Sequence, residues 1–138
     1  MKYVNSISLE SPFEVAVAAV QEAFAGQGFG VLTTVDVQQT LREKVGKEIE
    51  PYLILGICNP TIADQVLSLD PEVGTMLPCS VAIRWDGQRT QVHVLDPEVI
   101  AELDPSGRLR APADEASRRI GVAIASLGGA QGTTATAS

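Results

Sequence analysis

The sequence predicts an α+β fold: a mixed, partly antiparallel sheet of about five strands with helices packed on one face. Three observations lead there. Strand-like and helix-like stretches follow one another in the order β-α-β-α-β-α-β-β-α. The dipeptide Asp86-Gly87, set between two alternating runs, marks a hairpin. The run Tyr52-Leu53-Ile54-Leu55-Gly56-Ile57-Cys58 is apolar throughout, as expected of a central strand covered on both sides. One hairpin within an alternating series argues against a doubly wound parallel sheet.

Residues 2–9 alternate in the manner of a half-buried strand. Ser11-Pro12-Phe13-Glu14 then matches a capping box with proline at the first helical position, so a helix is expected from Ser11. Phe13, Val17, Val20 and Phe24 form its apolar stripe, and Gly26 and Gly28 stop it. A second strand runs from Phe29 to Val35. Asp36 with Gln39 caps a short helix that carries Val37, Leu41 and Val45 on one side and ends at Gly46. After the apolar strand, Asn59-Pro60 opens a third helix that runs to about Leu69, with Ile62, Val66 and Leu69 inward, and Asp70-Pro71 ends it. Pro71 to Pro78 holds too many breakers for a regular element and reads as a loop.

A two-residue turn at Asp86-Gly87 pairs Ile83 with Thr90, Val81 with Val92, Cys79 with Val94 and Ser80 with His93. Cys79, Val81 and Ile83 then share one face, while Ser80, Arg84, Gln91 and His93 take the other. Pro97 to Leu103 suits a short helix, and Asp104 to Pro112 reads as a loop. A last helix over about Ala113 to Leu127 turns Ala116, Ile120, Ala123, Ile124 and Leu127 inward. Residues 1–127 read as one α+β domain, and 128–138 as a flexible low-complexity tail.

With 10 basic residues against 17 acidic ones and a net charge of −7, the chain lacks the basic surface that nucleic acid or an anionic membrane would require. No run approaches the roughly 18 apolar residues of a membrane span, and the first residues hold no apolar core of the signal-peptide kind. A cytoplasmic location is therefore expected, with both cysteines as reduced thiols. Covering both faces of Tyr52–Cys58 is a reason to expect a homodimer.

The segments Ile54-Leu55-Gly56-Ile57-Cys58-Asn59-Pro60 and Gly74-Thr75-Met76-Leu77-Pro78-Cys79, with the hairpin ending in Asp96-Pro97, carry a family pattern, and Asp36-Val37 with Lys44 fits its upstream part. Over roughly residues 10–100 the chain resembles the prokaryotic domain-of-unknown-function family 302. It departs from the pattern at Ser80, where asparagine is common. The resemblance implies a small α+β fold, a dimer and a bacterial or archaeal setting. It implies no particular reaction. Any site it carries over falls on Cys58, Asn59, Pro60, Pro78 and Cys79.

Cys58 precedes a helix start, where amide hydrogens and the helix dipole favour a thiolate. The competing reading is a buried cysteine that ends a core strand. Cys79 can meet Cys58 only if the loop Pro71–Pro78 returns the chain to the same sheet edge, and eight residues reach up to about 28 Å. A soft-metal site would draw on both thiols and His93, the only histidine, but the expected register puts His93 and Cys79 on opposite faces. Asn59 and Asp36 read as helix caps. No phosphate-binding glycine loop is present, no pair of carboxylates can be assembled, and any cofactor is left unspecified.

The function these residues favour is a non-catalytic binding domain. Its site lies near Cys58-Asn59-Pro60 and Pro78-Cys79 and receives a small anionic or thiol-reactive ligand. The alternatives are a thiol-dependent redox protein or enzyme, in which Cys58 attacks and Cys79 resolves, and a soft-metal binding protein.

Overall fold

The computed structural model describes residues 3–131 and 134–137. Lys2 and residues 132, 133 and 138, which the expected first strand and tail include, lie outside the described residues. The elements run β1 (Val4–Leu9), α1 (Phe13–Ala25), β2 (Gly30–Asp36), α2 (Val37–Val45), β3 (Tyr52–Cys58), α3 (Pro60–Leu69), β4 (Cys79–Trp85), β5 (Thr90–Leu95), α4 (Glu98–Leu103), α5 (Arg110–Gln131) and β6 (Thr134–Ala137). The fold is α+β. Its sheet has the order β2-β3-β4-β5-β1-β6, and helices pack against it. Every pairing is antiparallel, so the antiparallel part of the expected sheet extends to the whole. After Leu127 the backbone completes α5 and then pairs Thr134–Ala137 with β1, in the stretch that reads from sequence as a tail.

Alternation along the strands sorts the two faces. Ile7 and Leu9 of β1, Leu55 and Ile57 of β3, Val81 and Ile83 of β4, and Val92 and Val94 of β5 are buried with Ala16, Val20 and Phe24 of α1. The predicted inward stripe of α5, from Ala116 to Leu127, joins the same core. Phe24 meets Phe29 edge to face at 5.9 Å, which closes the end of α1 onto the chain leading to β2. A smaller cluster of Val66, Val73, Ile100 and Leu109 lies beyond the main core.

The Asp86-Gly87 turn is displaced by one position. Trp85 pairs with Thr90, Val81 with Val94 and Ala82 with His93, so the central turn residues are Gly87 and Gln88, and Cα partners shift by two from the expected register. The cause is the Asp86 carboxylate, which accepts from the Gln88 and Arg89 amides at 2.9 and 2.7 Å and so fixes Asp86 as the residue before the turn. Gly87, with φ +94, takes the first central position, where a type II′ turn places glycine. A shift of two preserves parity, so the predicted sorting of faces stands.

Three further expectations change. Pro12, not Ser11, occupies the cap position of α1, with no side-chain cap; the Ser11 carbonyl instead accepts the Thr90 hydroxyl at 3.0 Å. The loop after α3 contains a 3-10 turn over Pro71–Met76. Helix α5 begins at Arg110 because Pro112 falls in its first turn, where a missing N–H has no helical partner to lose. The caps at Asp36 and Asn59 form as predicted, each side chain accepting an amide three residues on.

Candidate functional site

The two motif segments meet at one place. Residue Ile57 of β3 pairs with Cys79 of β4, which sets Cys58 beside Pro78, so α3 and the 3-10 turn return the chain to the edge it left. An apolar cavity of about 60 Å³ lies there, lined by Cys58, Asn59, Pro78 and Cys79 together with Phe29, Ile62 and residues from α4 and α5. Pro60 is not among its lining residues; it opens α3 from the first helical position. The contributions of Ile100, Leu109 and Pro112 have no local signal in the sequence, whereas Ala116 belongs to the predicted inward stripe of the last helix. All four are ordinary apolar residues brought in by the packing of α4, α5 and the residue that precedes α5.

Asn59 is buried, and both ends of its side-chain amide are engaged. Its Oδ1 accepts from the Ile62 amide at 3.2 Å, and its Nδ2 donates to the Gln27 carbonyl at 3.4 Å. Arg119 of α5 donates to the same carbonyl at 3.2 Å while its Nε pairs with Glu115 at 2.8 Å. Gly28 has φ +84, and a Cβ there would stand 2.9 Å from Asn59 Nδ2, so both backbone conformation and space require glycine.

The two thiols differ. Cys79 is buried among the core residues and lies 3.5 Å from the Leu95 carbonyl, to which its Sγ donates. Burial, and secondly the Asp96 carboxylate, push its thiol up to about 12 against a weaker opposing hydrogen bond from the Ser80 backbone. At neutral pH it is a thiol and not a nucleophile. Cys58, the last residue of β3, is half-buried and borders the same cavity as Cys79. Both are free cysteines.

Asp96 ties the hairpin to the helices. Its Oδ1 accepts from the Glu98 amide at 3.0 Å and from the Ser117 hydroxyl at 3.2 Å, which joins β5, α4 and α5 beside the cavity.

His93 stands on the open face of the sheet, away from Cys79, as the alternation predicts, but opposite Ala82. Ser6 and Arg84 flank it at 2.8 and 3.1 Å. Among the described residues, no group of three or more His, Cys, Asp and Glu side chains could hold a metal ion. No helix among them is long and apolar enough to cross a membrane.

A family model, "Domain of unknown function DUF302", matches residues 5–127. The chain belongs to this family. A solved structure described as an uncharacterized conserved protein DUF302 from Bacillus stearothermophilus is similar over 88% of this chain and 94% of that one, with 26% identity and a TM-score of 0.79. No curated protein matches. The match runs past the hairpin into α5, so the DUF302 domain includes the helix that closes the cavity.

Proposed function

We propose that this DUF302 domain is a non-catalytic binding domain that receives a short apolar group of a ligand between the starts of α3 and β4. The observation that carries the reading is the apolar cavity on which the two motif segments converge. A volume of about 60 Å³ suits a few heavy atoms, well below the ~300 Å³ or more of a pocket for a whole drug-sized molecule. The start of α3 gives little support to an anion: Pro60 has no N–H, the Asn59 side chain takes the Ile62 amide and the Asn59 carbonyl takes the Ala63 amide. The thiol-relay alternative is weakened by Cys79, which is held as a neutral thiol.

The test is a thermal-shift panel of small apolar and thiol-reactive compounds on the wild type and on Ala63→Leu, which adds bulk to the cavity wall. Compounds that raise the Tm of the wild type and fail to raise that of Ala63→Leu support the reading. Equal shifts in both proteins, or none in the wild type, overturn it.

A homodimer is a separate proposal, and its support is β2. This edge strand is exposed along its whole length, with Val31, Leu32 and Val35 at 38%, 65% and 46% exposure. An apolar edge of this kind is a template for a second strand, and two copies of β2 related by a two-fold axis would pair antiparallel. Light scattering should then show a dimer that Leu32→Lys with Val35→Lys converts to a folded monomer. A wild type that is monomeric at high concentration rules the dimer out.

A further inference from the structure

The open face of the sheet holds a groove of about 500 Å³, within the range of small-molecule sites and far larger than the cavity by Cys58. Tyr3, Tyr52, Ser80, Arg84 and His93 are among its lining residues, and among the described residues none that lines it is acidic. That absence is informative in a chain with 17 acidic residues. Five of the seven arginines form ion pairs with glutamates: Arg42, Arg89, Arg110, Arg118 and Arg119. Arg84 differs. Its Nε donates to His93 Nε2 at 3.1 Å, and of its guanidinium nitrogens only Nε is engaged among the described hydrogen bonds. Asp86 feels the charge of Arg84, yet its oxygens accept from Gln88, Arg89 and Gln91.

The hydrogen bonds also determine the state of the imidazole. Because Nε2 accepts from Arg84, the ring proton of neutral His93 sits on Nδ1 and is donated to Ser6 Oγ at 2.8 Å. In this tautomer the ring cannot take a proton from Ser6, so the trio is no hydrolytic relay. Burial first, and then the Arg84 charge, lower the affinity of His93 for a second proton. The imidazole therefore braces the guanidinium without adding charge.

We propose that this groove is a binding site for a small organic anion, its carboxylate or phosphate held by Arg84 and its apolar or aromatic body laid against Tyr52, the cross-strand partner of Arg84. A braced guanidinium with both Nη groups available suits the two-oxygen edge of either anion. The site lies on the opposite face of the sheet from the core and is independent of the cavity by Cys58.

Isothermal titration of the full chain with benzoate, phenyl phosphate and inorganic phosphate tests it. The first two should bind, with inorganic phosphate weaker because it has no body to lay against Tyr52; their relative affinity shows which anion the site prefers. Arg84→Gln should weaken binding at least about tenfold, the effect of losing one charge-assisted contact. Ser80→Asp, at an exposed position that leaves packing intact, should do the same by adding a carboxylate. If neither organic anion binds in the millimolar range, or both variants bind as the wild type does, the proposal fails. A dimer that Ser80→Asp dissociates, with no anion bound by either protein, would assign the face to a second copy and also overturn it.

Discussion

Cys79 shows how much of a residue's chemistry comes from its surroundings. Its thiol sits above the ordinary value of 9.0, at about 12, because burial and the Asp96 carboxylate both disfavour the thiolate. The folded chain therefore retains this proton where the unfolded chain has lost it. Where the unfolded state binds fewer protons, stability falls with rising pH. The contribution is fully present below about pH 9 and is lost as pH rises towards 12. Urea titrations from pH 8 upward should show a shallower alkaline decline for Cys79→Ala than for the wild type. Parallel declines would mean that other groups dominate that limb.

At the scale of elements, β3 combines an expected property with an unexpected one. Its apolar run does lie inside the sheet, between β2 and β4, and Leu55 and Ile57 join the core. Its other face holds a close approach of neighbouring side chains. Gly56 is buried there under the side chains of Thr33 and Pro78, and a Cβ at Gly56 would overlap Thr33 Oγ1 and stand 2.6 Å from Pro78 Cγ. Gly56→Ala should therefore cost about 1–3 kcal/mol as an overpacking change, read as a lower urea midpoint with an unchanged slope. A neutral substitution would mean that Pro78 moves aside freely. Helix α2 is the opposite case: its stripe of Val37, Leu41 and Val45 is correctly spaced, yet none of its residues is buried, because the helix follows an exposed edge strand.

The molecule as a whole has a large core between the sheet and α1 and α5, and a small cluster between α3, the 3-10 turn and α4. The small cluster holds four buried residues, so less apolar surface holds that end closed, and it is the end that contains the cavity. Native-state amide exchange should find the lowest opening free energies among the helical amides at α4 and the 3-10 turn and the highest in β4, β5 and α5. Uniform protection would show that the two clusters open as one unit.

By itself the sequence determined what depends on neighbours in the chain. The order of elements follows from periodicity, and the caps at Asp36 and Asn59 from residue type. The sorting of Cys79 from His93 onto opposite faces follows from parity, which survived a change of register. It also carried the DUF302 pattern. Tertiary structure alone decided what depends on distant residues: the antiparallel return that seats Cys58 beside Pro78, the α4 and α5 residues that line the cavity, and the Ser6–His93–Arg84 chain across three strands. Ser6 and His93 are separated by 87 positions, and no local propensity encodes their meeting. That contact exists because β5 pairs with β1, and pairing between distant strands is set by how the whole apolar face is buried.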